Sequence, residues 1–180
     1  MPSVVFLRAV NVGTANRCRP VVLAEQLSRF GIVNIGAVGT FVVRKEVSGS
    51  TLRNAIAHKL PFKSEIMICP ARDIMKLASK HPFSGQSSGP NITRFVMVLH
   101  KPLCRHVALD LLQTSKIEHQ TSEDWLLKVI ATEGRFVLGF YRRQMKAISY
   151  LGKLEKLLGV PATTRNWNTI EKVVKILSQD

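Results

Sequence analysis

The sequence predicts an α+β protein made of two ferredoxin-like βαββαβ-type halves that share a core. Three observations support this fold class. Short β-branched runs alternate with amphipathic helical segments in the order β-α-β-β-α-β over the first 80 residues. A similar order begins again near Thr93. Hydrophobic residues make up 46% of the 180, enough for a substantial core.

The first half opens with a predicted central strand. The run from Val4 to Leu7 is apolar on both faces, as expected of a strand covered on two sides. Apolar residues then recur at helical spacing between Pro20 and Gly31, which are typical residues for the start and end of a helix. The remaining elements predicted here are a hairpin of Val33 to Val38 and Phe41 to Arg44 through Gly39-Thr40, a helix ended by Pro61, a strand from Glu65 to Cys69, and a helix opened by Pro70.

The second half follows a connector rich in Gly, Pro and Ser. We therefore predict a first half at 1–80, a connector at 81–91 and a second half at 92–180. Together they have a size typical of one compact unit, and we expect them to form one. Thr93 to Leu99 repeats the apolar central strand. The elements predicted after it are a helix from Pro102 to Leu112, a hairpin of Trp125 to Ala131 and Arg135 to Tyr141, a helix with Ile148, Leu151, Leu154 and Leu158 inside, and a last helix that includes Trp167.

The last helix is preceded by an unusual number of hydrogen-bond donors. Either Thr164 or Asn166 can accept from the free amides of its first turn. Alternatively, Asn168 is the N-cap and Glu171 completes a capping box. One residue is enough for capping, so the remaining polar side chains, Arg165 among them, are available for another role.

Two segments resemble a known family. Thr163-Thr164-Arg165-Asn166-Trp167-Asn168-Thr169 and Leu7-Arg8-Ala9-Val10-Asn11-Val12-Gly13 resemble the closing and opening motifs of a mainly bacterial family, domain of unknown function 1697. This resemblance implies ferredoxin-like halves and implies no established activity. The family usually has Gly at Ala9 and at Thr14, and Ser-Gly-Asn in place of Val38-Gly39-Thr40, so the chain resembles a divergent member.

Charge and cysteine content constrain the partners and the compartment. Lys and Arg number 26 against 12 Asp and Glu, and the net charge of +14 favours polyanionic partners, although a merely solvated basic surface remains the alternative. Three distant cysteines without a Cys-x-x-Cys motif predict a reducing cytoplasm. The start lacks signal-peptide features, and no apolar run approaches the roughly 18 residues that span a bilayer, so we expect a cytoplasmic protein without a membrane partner.

The main candidate site combines the opening loop with the closing segment. Guanidinium and carboxamide groups suit phosphate or carboxylate. If the two segments meet, they form an anion site; otherwise the asparagines satisfy loop backbone and the arginines are solvated. The candidate residues are Arg8, Asn11, Asn16, Arg17, Thr164, Arg165, Asn166 and Asn168.

A second candidate is a basic strip suited to nucleic-acid phosphates. It consists of Arg142, Arg143, Lys146, Lys153 and Lys156. The neighbouring run of Phe136, Leu138 and Phe140 has a faint likeness to an RNA-binding strand, but this alternation is more typical of a core.

Signals for catalysis are weak. The sequence has no His-x-x-x-His motif, and we expect no metal and no cofactor. The leading hypothesis is a non-catalytic binding module for a phosphate-bearing partner, either nucleic acid or a nucleotide. The alternatives are an enzyme acting on a small anionic metabolite in a cleft between the halves, and a protein-interaction domain.

Overall fold

The structure, a computed structural model, describes residues 1–11, 16–86, 89–104 and 125–179. These residues form two compact units. The first unit contains Met1–Lys80 together with Asn168–Asp180, and the second contains His81–Trp167. Each unit has a four-stranded antiparallel sheet accompanied by helices, so the predicted α+β class is confirmed.

The sheet of the first unit is built around the first predicted strand. Its strands are β1 (Ser3–Leu7), β2 (Ile32–Ile35), β3 (Thr40–Val43) and β4 (Ile66–Pro70), in the spatial order β2-β3-β1-β4. Val5 and Leu7 of β1 pack in a core cluster with Phe41. Val4 and Phe6, which point to the opposite face, are equally buried. Both faces of β1 are therefore covered, as its continuous apolar run predicts.

Helices pack on this sheet at positions that the sequence marks clearly. They are α1 (Pro20–Gln26), α2 (Gly49–Lys59) and α3 (Ala71–Ser79). Pro20 opens α1, where its missing N–H is not needed. Ser48 caps α2, because its Oγ accepts the Thr51 N–H at 3.1 Å. Leu52 and Ile56 of α2 are buried in the same core cluster as β1.

The connection between β2 and β3 is longer than predicted. β2 ends at Ile35 rather than at Val38, because Gly36 and Gly39 both adopt positive φ angles, 71° and 72°. Gly39 also approaches β1 closely. A Cβ at this position would lie 2.9 Å from Leu7 Cβ, while Gly39 O accepts the Leu7 N–H at 2.8 Å. Gly39 is therefore required both for its positive φ angle and for the small space beside Leu7.

The second unit repeats the strand arrangement of the first. Its strands are β5 (Ile92–Leu99), β6 (Leu127–Glu133), β7 (Phe136–Arg142) and β8 (Ala162–Asn166), in the order β6-β7-β5-β8. Gly134, with φ of 57°, makes the β6–β7 turn where the sequence predicts it. The β6–β7 register shifts between Val129 and Ala131, so β6 carries a bulge opposite the middle of β7.

Helix α4 (Met145–Leu158) buries a slightly different face from the predicted one. The sequence predicts Ile148 on the buried face with Leu154 and Leu158. This prediction is wrong, because the residue is 62% exposed. Ala147 lies inside instead, fully buried, with Leu154 and Leu158. The inner face therefore follows the spacing i, i+7, i+11 from Ala147, and Leu151 packs against it partly buried.

The segment before the last helix is a strand, which corrects the prediction of a polar helix entrance. β8 pairs with β5 so that Thr163 lies opposite Val98 and Arg165 opposite Val96. The local reason is that Thr163 and Thr164 are β-branched, which favours an extended chain. Helix α5 (Trp167–Leu177) begins immediately after Asn166 and includes Trp167, as predicted.

The two units divide the chain near the predicted connector. Phe83 packs edge-on against Phe140 and Trp167, with ring centroids 5.2 and 5.0 Å apart, so the connector segment groups with the second unit. Residues 168–180 group with the first unit, whereas the sequence assigns them to the second half. Most of the helix predicted from Pro102 to Leu112 lies outside the described residues.

Candidate functional site

The opening loop leaves β1 at the edge of a small pocket in the first unit. The pocket has a volume of about 280 Å³ and is lined by Arg8, Ala9, Asn16, Lys63, Ser64 and Glu65. Two of these residues, Arg8 and Asn16, belong to the anion site predicted from the sequence. The pocket therefore places a guanidinium, an ammonium and a carboxamide around one hollow.

The antiparallel pairing of β1 and β4 explains why residues so far apart in sequence line the same pocket. Leu7 pairs with Ile66, so the next residues of β1 continue beside the residues that precede β4. The Arg8 N–H donates to Glu65 O at 2.9 Å, and Ser64 Oγ donates to Arg8 O at 2.8 Å. These bonds fix the backbone on both sides of the pocket. Lys63 directly precedes Ser64 in the chain, and it is exposed.

Sequence reasoning did not select Lys63, Ser64 or Glu65. The predicted order β-α-β-β-α-β nevertheless contains information about which residues lie beside the end of the first strand. A fourth strand running antiparallel to the first begins where the first one ends. The residues that precede Ile66 thus become candidates once this pairing is assumed, although the order along the chain alone does not give the register.

Asn11 stabilises the opening loop through bonds to the main chain. Its Nδ2 donates to Ala37 O at 2.9 Å, in the β2–β3 turn, and its Oδ1 accepts the Cys18 N–H at 3.0 Å. The Asn11 N–H also donates to Asn16 O at 3.1 Å, which closes the loop on itself. This matches the structural alternative weighed from the sequence, in which loop asparagines satisfy backbone groups. Asn11 therefore shapes the loop beside the pocket.

Several residues of this loop adopt a strained backbone conformation. Ala9, Asn11 and Asn16 have φ angles of 57°, 56° and 55°. Asparagine tolerates this left-handed region better than most residues, but alanine does not. Ala9 is also one of the residues that line the pocket. Arg17, the remaining predicted residue of the loop, is exposed to solvent.

The closing segment is divided between the two units. Thr164, Arg165 and Asn166 belong to β8 of the second unit, while Asn168 lies in the part of α5 that groups with the first unit. Thr164 is half-buried, and Asn166 and Asn168 are exposed. Their predicted role in binding an anion stays a prediction.

Arg165 is buried, which differs from the solvent-facing position expected for a ligand residue. Its side chain is only 6% exposed. Nη1 donates to Thr163 Oγ1 at 2.7 Å and to Thr164 O at 2.9 Å. Burial lowers the pKa of Arg165 to about 10, because a charged guanidinium loses hydration inside the protein. The group still carries its proton at neutral pH, and two of its hydrogen bonds are to residues of its own strand.

The basic strip lies at the end of β7 and along α4. Lys146, Lys153 and Lys156 are exposed on the helix. The Arg142 guanidinium lies 5.3 Å from the centroid of the Trp125 ring, and Arg143 Nε donates to Thr93 Oγ1 at 3.1 Å. The two arginines therefore contact the ends of the sheet, and Arg143 is exposed to solvent together with the three lysines.

The described ranges, 1–11, 16–86, 89–104 and 125–179, show neither a metal cluster nor a membrane-spanning helix. Within them, no three His, Cys, Asp or Glu side chains come together in a way that would hold a metal ion. The same ranges contain no helix with the length and apolar content needed to cross a membrane. All three cysteines are free thiols, and burial raises the pKa of Cys18.

Comparison with known proteins settles the family. The family model described as "Protein of unknown function (DUF1697)" matches residues 1–125, which include both sides of the pocket. The chain belongs to the DUF1697 family. Ala9 of this DUF1697 protein has a φ of 57°, a conformation that glycine adopts more readily than alanine.

Structural comparison supports the fold of this DUF1697 protein. The chain is similar to the structure of conserved bacterial protein SP0830 from Streptococcus pneumoniae, with a TM-score of 0.59 and 17% sequence identity. The similarity covers 98% of each chain, so it extends over both units. No curated protein matches the chain. The likeness to the streptococcal protein concerns the fold alone.

Proposed function

We propose that this DUF1697 protein is a non-catalytic binding module for a small phosphate-bearing ligand, held in the pocket at the end of β1. The observation that carries the proposal is the presence of Arg8, Lys63 and Asn16 around one pocket of about 280 Å³. Arginine and lysine attract phosphate by charge, and both donate hydrogen bonds to its oxygens. The net charge of +14 adds a long-range attraction for anions.

The composition of the pocket narrows the ligand class. Glu65 brings a carboxylate to the same rim. A carboxylate repels a ligand that is anionic over its whole surface, but it accepts hydrogen bonds from hydroxyl or amino groups. The pocket therefore favours a phosphorylated small molecule, such as a nucleotide, that carries polar groups beside its phosphate. Its volume is near the lower end of the range of about 300 to 1,000 Å³ for small-molecule sites.

The other residues of the predicted anion site are not assigned direct contact with the ligand in this proposal. Arg17 is exposed on the same loop and adds a positive charge to it. Asn11 holds the loop through Ala37 and Cys18. Arg165 stabilises β8 from within. We assign ligand contact to Arg8, Asn16 and Lys63, and loop geometry to Asn11.

We also propose that both units are ferredoxin-like. In the first unit the strand order β2-β3-β1-β4, read from the other edge, is 4-1-3-2, with helices after the first and third strands. The second sheet has the same order. Because β1 is central in such an arrangement, its end is a natural place for ligand-binding residues. The three free cysteines are consistent with the further proposal of a reducing, cytoplasmic location.

A thermal-shift screen of nucleotides and other phosphorylated metabolites tests the binding proposal. A ligand at about 100 times its Kd raises the free energy of unfolding by about 2.7 kcal/mol, which gives a clear increase in Tm. For an active compound, Arg8→Ala and Lys63→Ala should each weaken binding by about 10- to 100-fold, the loss expected for one charged hydrogen bond.

Lys59→Ala provides a matched control. It removes an exposed lysine at the end of α2, outside the residues that line the pocket, and should leave the affinity unchanged. The proposal fails if no phosphorylated compound shifts the Tm at millimolar concentration. It also fails if the Arg8, Lys63 and Lys59 variants bind equally well, since binding would then depend on net charge alone.

A further inference from the structure

One flank of α4 carries a tyrosine between two lysines. At about 100° per residue, Lys146, Tyr150 and Lys153 lie within about 60° of one another around the helix axis. Both lysines are exposed, and Tyr150 is half-buried. The Lys153 Nζ lies 4.6 Å from the centroid of the Tyr150 ring. The flat face of this ring is therefore reached from solvent, because the ammonium group over it belongs to an exposed side chain.

This flank lies on the side of α4 that faces β7 and β6. Glu155 lies about 140° to 180° around the axis from those three residues, and its Oε1 accepts the N–H of Ala162, the first residue of β8. One side of α4 is thus turned to β8, which is an edge strand in the order β6-β7-β5-β8. The opposite side, which carries Tyr150 and the two lysines, is turned to the other strands of the sheet.

The end of β7 adds a second tyrosine and an arginine on the same side of the sheet. Tyr141 is half-buried and packs against the core cluster that contains Val137 and Leu154, so it projects to the face that α4 covers. Tyr141 pairs with Thr93, and Thr93 Oγ1 accepts the Arg143 Nε–H at 3.1 Å. Arg143 is exposed. We call the combined region the basic-aromatic surface, and its residues are Tyr141, Arg143, Lys146, Tyr150 and Lys153.

The charge of the basic-aromatic surface is positive. In the described part of the second unit, the acidic residues are Glu133 and Glu155. Glu155 is on the β8 side of the helix, and Glu133 lies opposite Phe136, about 17 Å along β7 from Tyr141. The surface thus combines three cations with two aromatic rings. Charge complementarity requires an anionic partner, and the rings favour one with flat groups that can stack on them.

A single strand of nucleic acid meets both requirements. Its phosphates pair with lysine and arginine, and its unpaired bases stack on aromatic side chains. In a duplex the bases already stack on one another, so the surface would contact phosphates alone. Phe136 and Phe140, in the segment of β7 with a faint likeness to an RNA-binding strand, are only 2% and 4% exposed and therefore cannot stack with a base.

We infer that the basic-aromatic surface binds single-stranded nucleic acid. Its tyrosines stack with bases, and its lysines and arginine hold the phosphates. A base on Tyr150 takes the place of the Lys153 ammonium group over the ring, and that ammonium group then pairs with a neighbouring phosphate. Lys146 and Lys153 are about 10 Å apart along the helix axis, so they contact different phosphates on either side of the stacked base. The inference concerns the second unit and does not depend on the pocket of the first unit.

Fluorescence anisotropy with a labelled single-stranded RNA of about 12 nucleotides tests the inference, since single-strand sites cover about 4 to 16 nucleotides. The full-length protein should bind this RNA at about 50 mM salt, and it should bind an RNA duplex of the same length more weakly. Tyr150→Ala should weaken binding of the single strand by roughly 5- to 100-fold at unchanged charge, the loss expected for one stacked base. Tyr150→Phe retains the ring and should bind as the wild type does. Unchanged Tm values confirm that these substitutions leave the fold intact.

Matched variants separate the basic-aromatic surface from net charge and from the pocket. Lys146→Gln with Lys153→Gln should weaken binding and reduce the slope of log K against log salt by about 1.4, at about 0.7 for each lost phosphate contact. Lys59→Gln with Lys172→Gln removes the same charge at exposed positions of the first unit, and it should leave this slope nearly unchanged. Arg8→Ala with Lys63→Ala should bind the RNA as the wild type does, so the two proposals can fail independently.

Four results would overturn the inference. The first is no binding of the RNA at about 50 mM salt, and the second is a Tyr150→Ala variant that binds it as tightly as the wild type. The third is a duplex that binds at least as tightly as the single strand. The fourth is equal loss of affinity in the two double lysine variants, because net charge alone would then explain binding. Full competition by polyglutamate together with the second result would assign the surface to an acidic protein.

Discussion

Arg165 Nη1 donates a hydrogen bond to Thr163 Oγ1 at 2.7 Å, two residues earlier on β8. The two side chains project from the same face of the strand, and both are buried. A buried guanidinium that has lost its hydration needs hydrogen-bond acceptors inside the protein. The strand β8 thus supplies both a cation and one of its acceptors.

Thr163→Val should lower the free energy of unfolding by about 1 to 3 kcal/mol, because it removes an acceptor from a buried charged donor at nearly constant volume. Urea denaturation measures the difference. Thr164→Val is the matched control: Thr164 accepts from Arg165 through its main-chain oxygen, which the substitution retains. Equal losses in both variants would show that β-strand packing, and not the hydroxyl of Thr163, determines the effect.

The lowered pKa of Arg165 predicts a pH dependence at alkaline pH. Its pKa is about 10 in the folded protein, well below the value of an arginine in the unfolded chain, because burial removes hydration from the charged group. Between these values the unfolded state binds more protons, so the folding stability of the wild type increases with pH. Relative to Arg165→Met, we expect a gain of about 1 kcal/mol between about pH 9 and pH 11, measured by chemical denaturation. Subtracting the free energy of unfolding of Arg165→Met at each pH cancels the contributions of groups that both proteins share. A constant difference over this range would contradict the prediction.

Ala9→Gly should stabilise the protein by about 1 kcal/mol. Ala9 has a φ of 57°, a conformation that costs an L-residue with a Cβ roughly 1 to 2 kcal/mol and costs glycine almost nothing. Thermal or urea denaturation gives the change. Ala57→Gly, at an exposed position within α2, is the opposite control and should destabilise by about 0.5 to 1 kcal/mol. If both variants are less stable than the wild type, the left-handed conformation of Ala9 does not carry the expected strain.

Gly139→Ala should destabilise the second unit by several kcal/mol. A Cβ at Gly139 would meet Lys128 O and approach Phe95 Cε1 to 2.7 Å, and neither the strand backbone nor a buried ring yields easily. The measured quantity is the free energy of unfolding. Gly152→Ala is its counterpart, since the site on α4 is open, and it should stabilise by about 0.8 to 1 kcal/mol. Similar tolerance at both positions would mean that β6 can move away from β7.

The strands and helices with strong local signals were predictable from sequence. The apolar run from Val4 to Leu7 predicts strand β1. Pro20 and Gly31 predict the start and the end of the first helical segment. β8 was missed because its side chains are polar, and only pairing with β5 reveals why Arg165 is buried there. Polar residues normally lie at the surface, so burial of this arginine depends on partners distant in sequence.

Two of the six residues that line the pocket were predicted from the sequence, because they belong to a segment with a strong local signal. Arg8 and Asn16 follow a predicted central strand, and loops at strand ends commonly carry binding residues. Lys63 and Ser64 precede β4, and their position beside Arg8 depends on the register of β4 against β1. Local sequence rules do not determine such a register, because it results from packing across the sheet.

The first unit is assembled from two stretches, Met1–Lys80 and Asn168–Asp180, with the whole second unit inserted between them. Domains tend to fold in order as they are synthesised, but here residues 81–167 of the second unit are made before residues 168–180 of the first. The first unit therefore contains all of its residues only after the second unit has been synthesised. A polypeptide that stops at Trp167 should contain every residue of the second unit while the first unit lacks its second stretch.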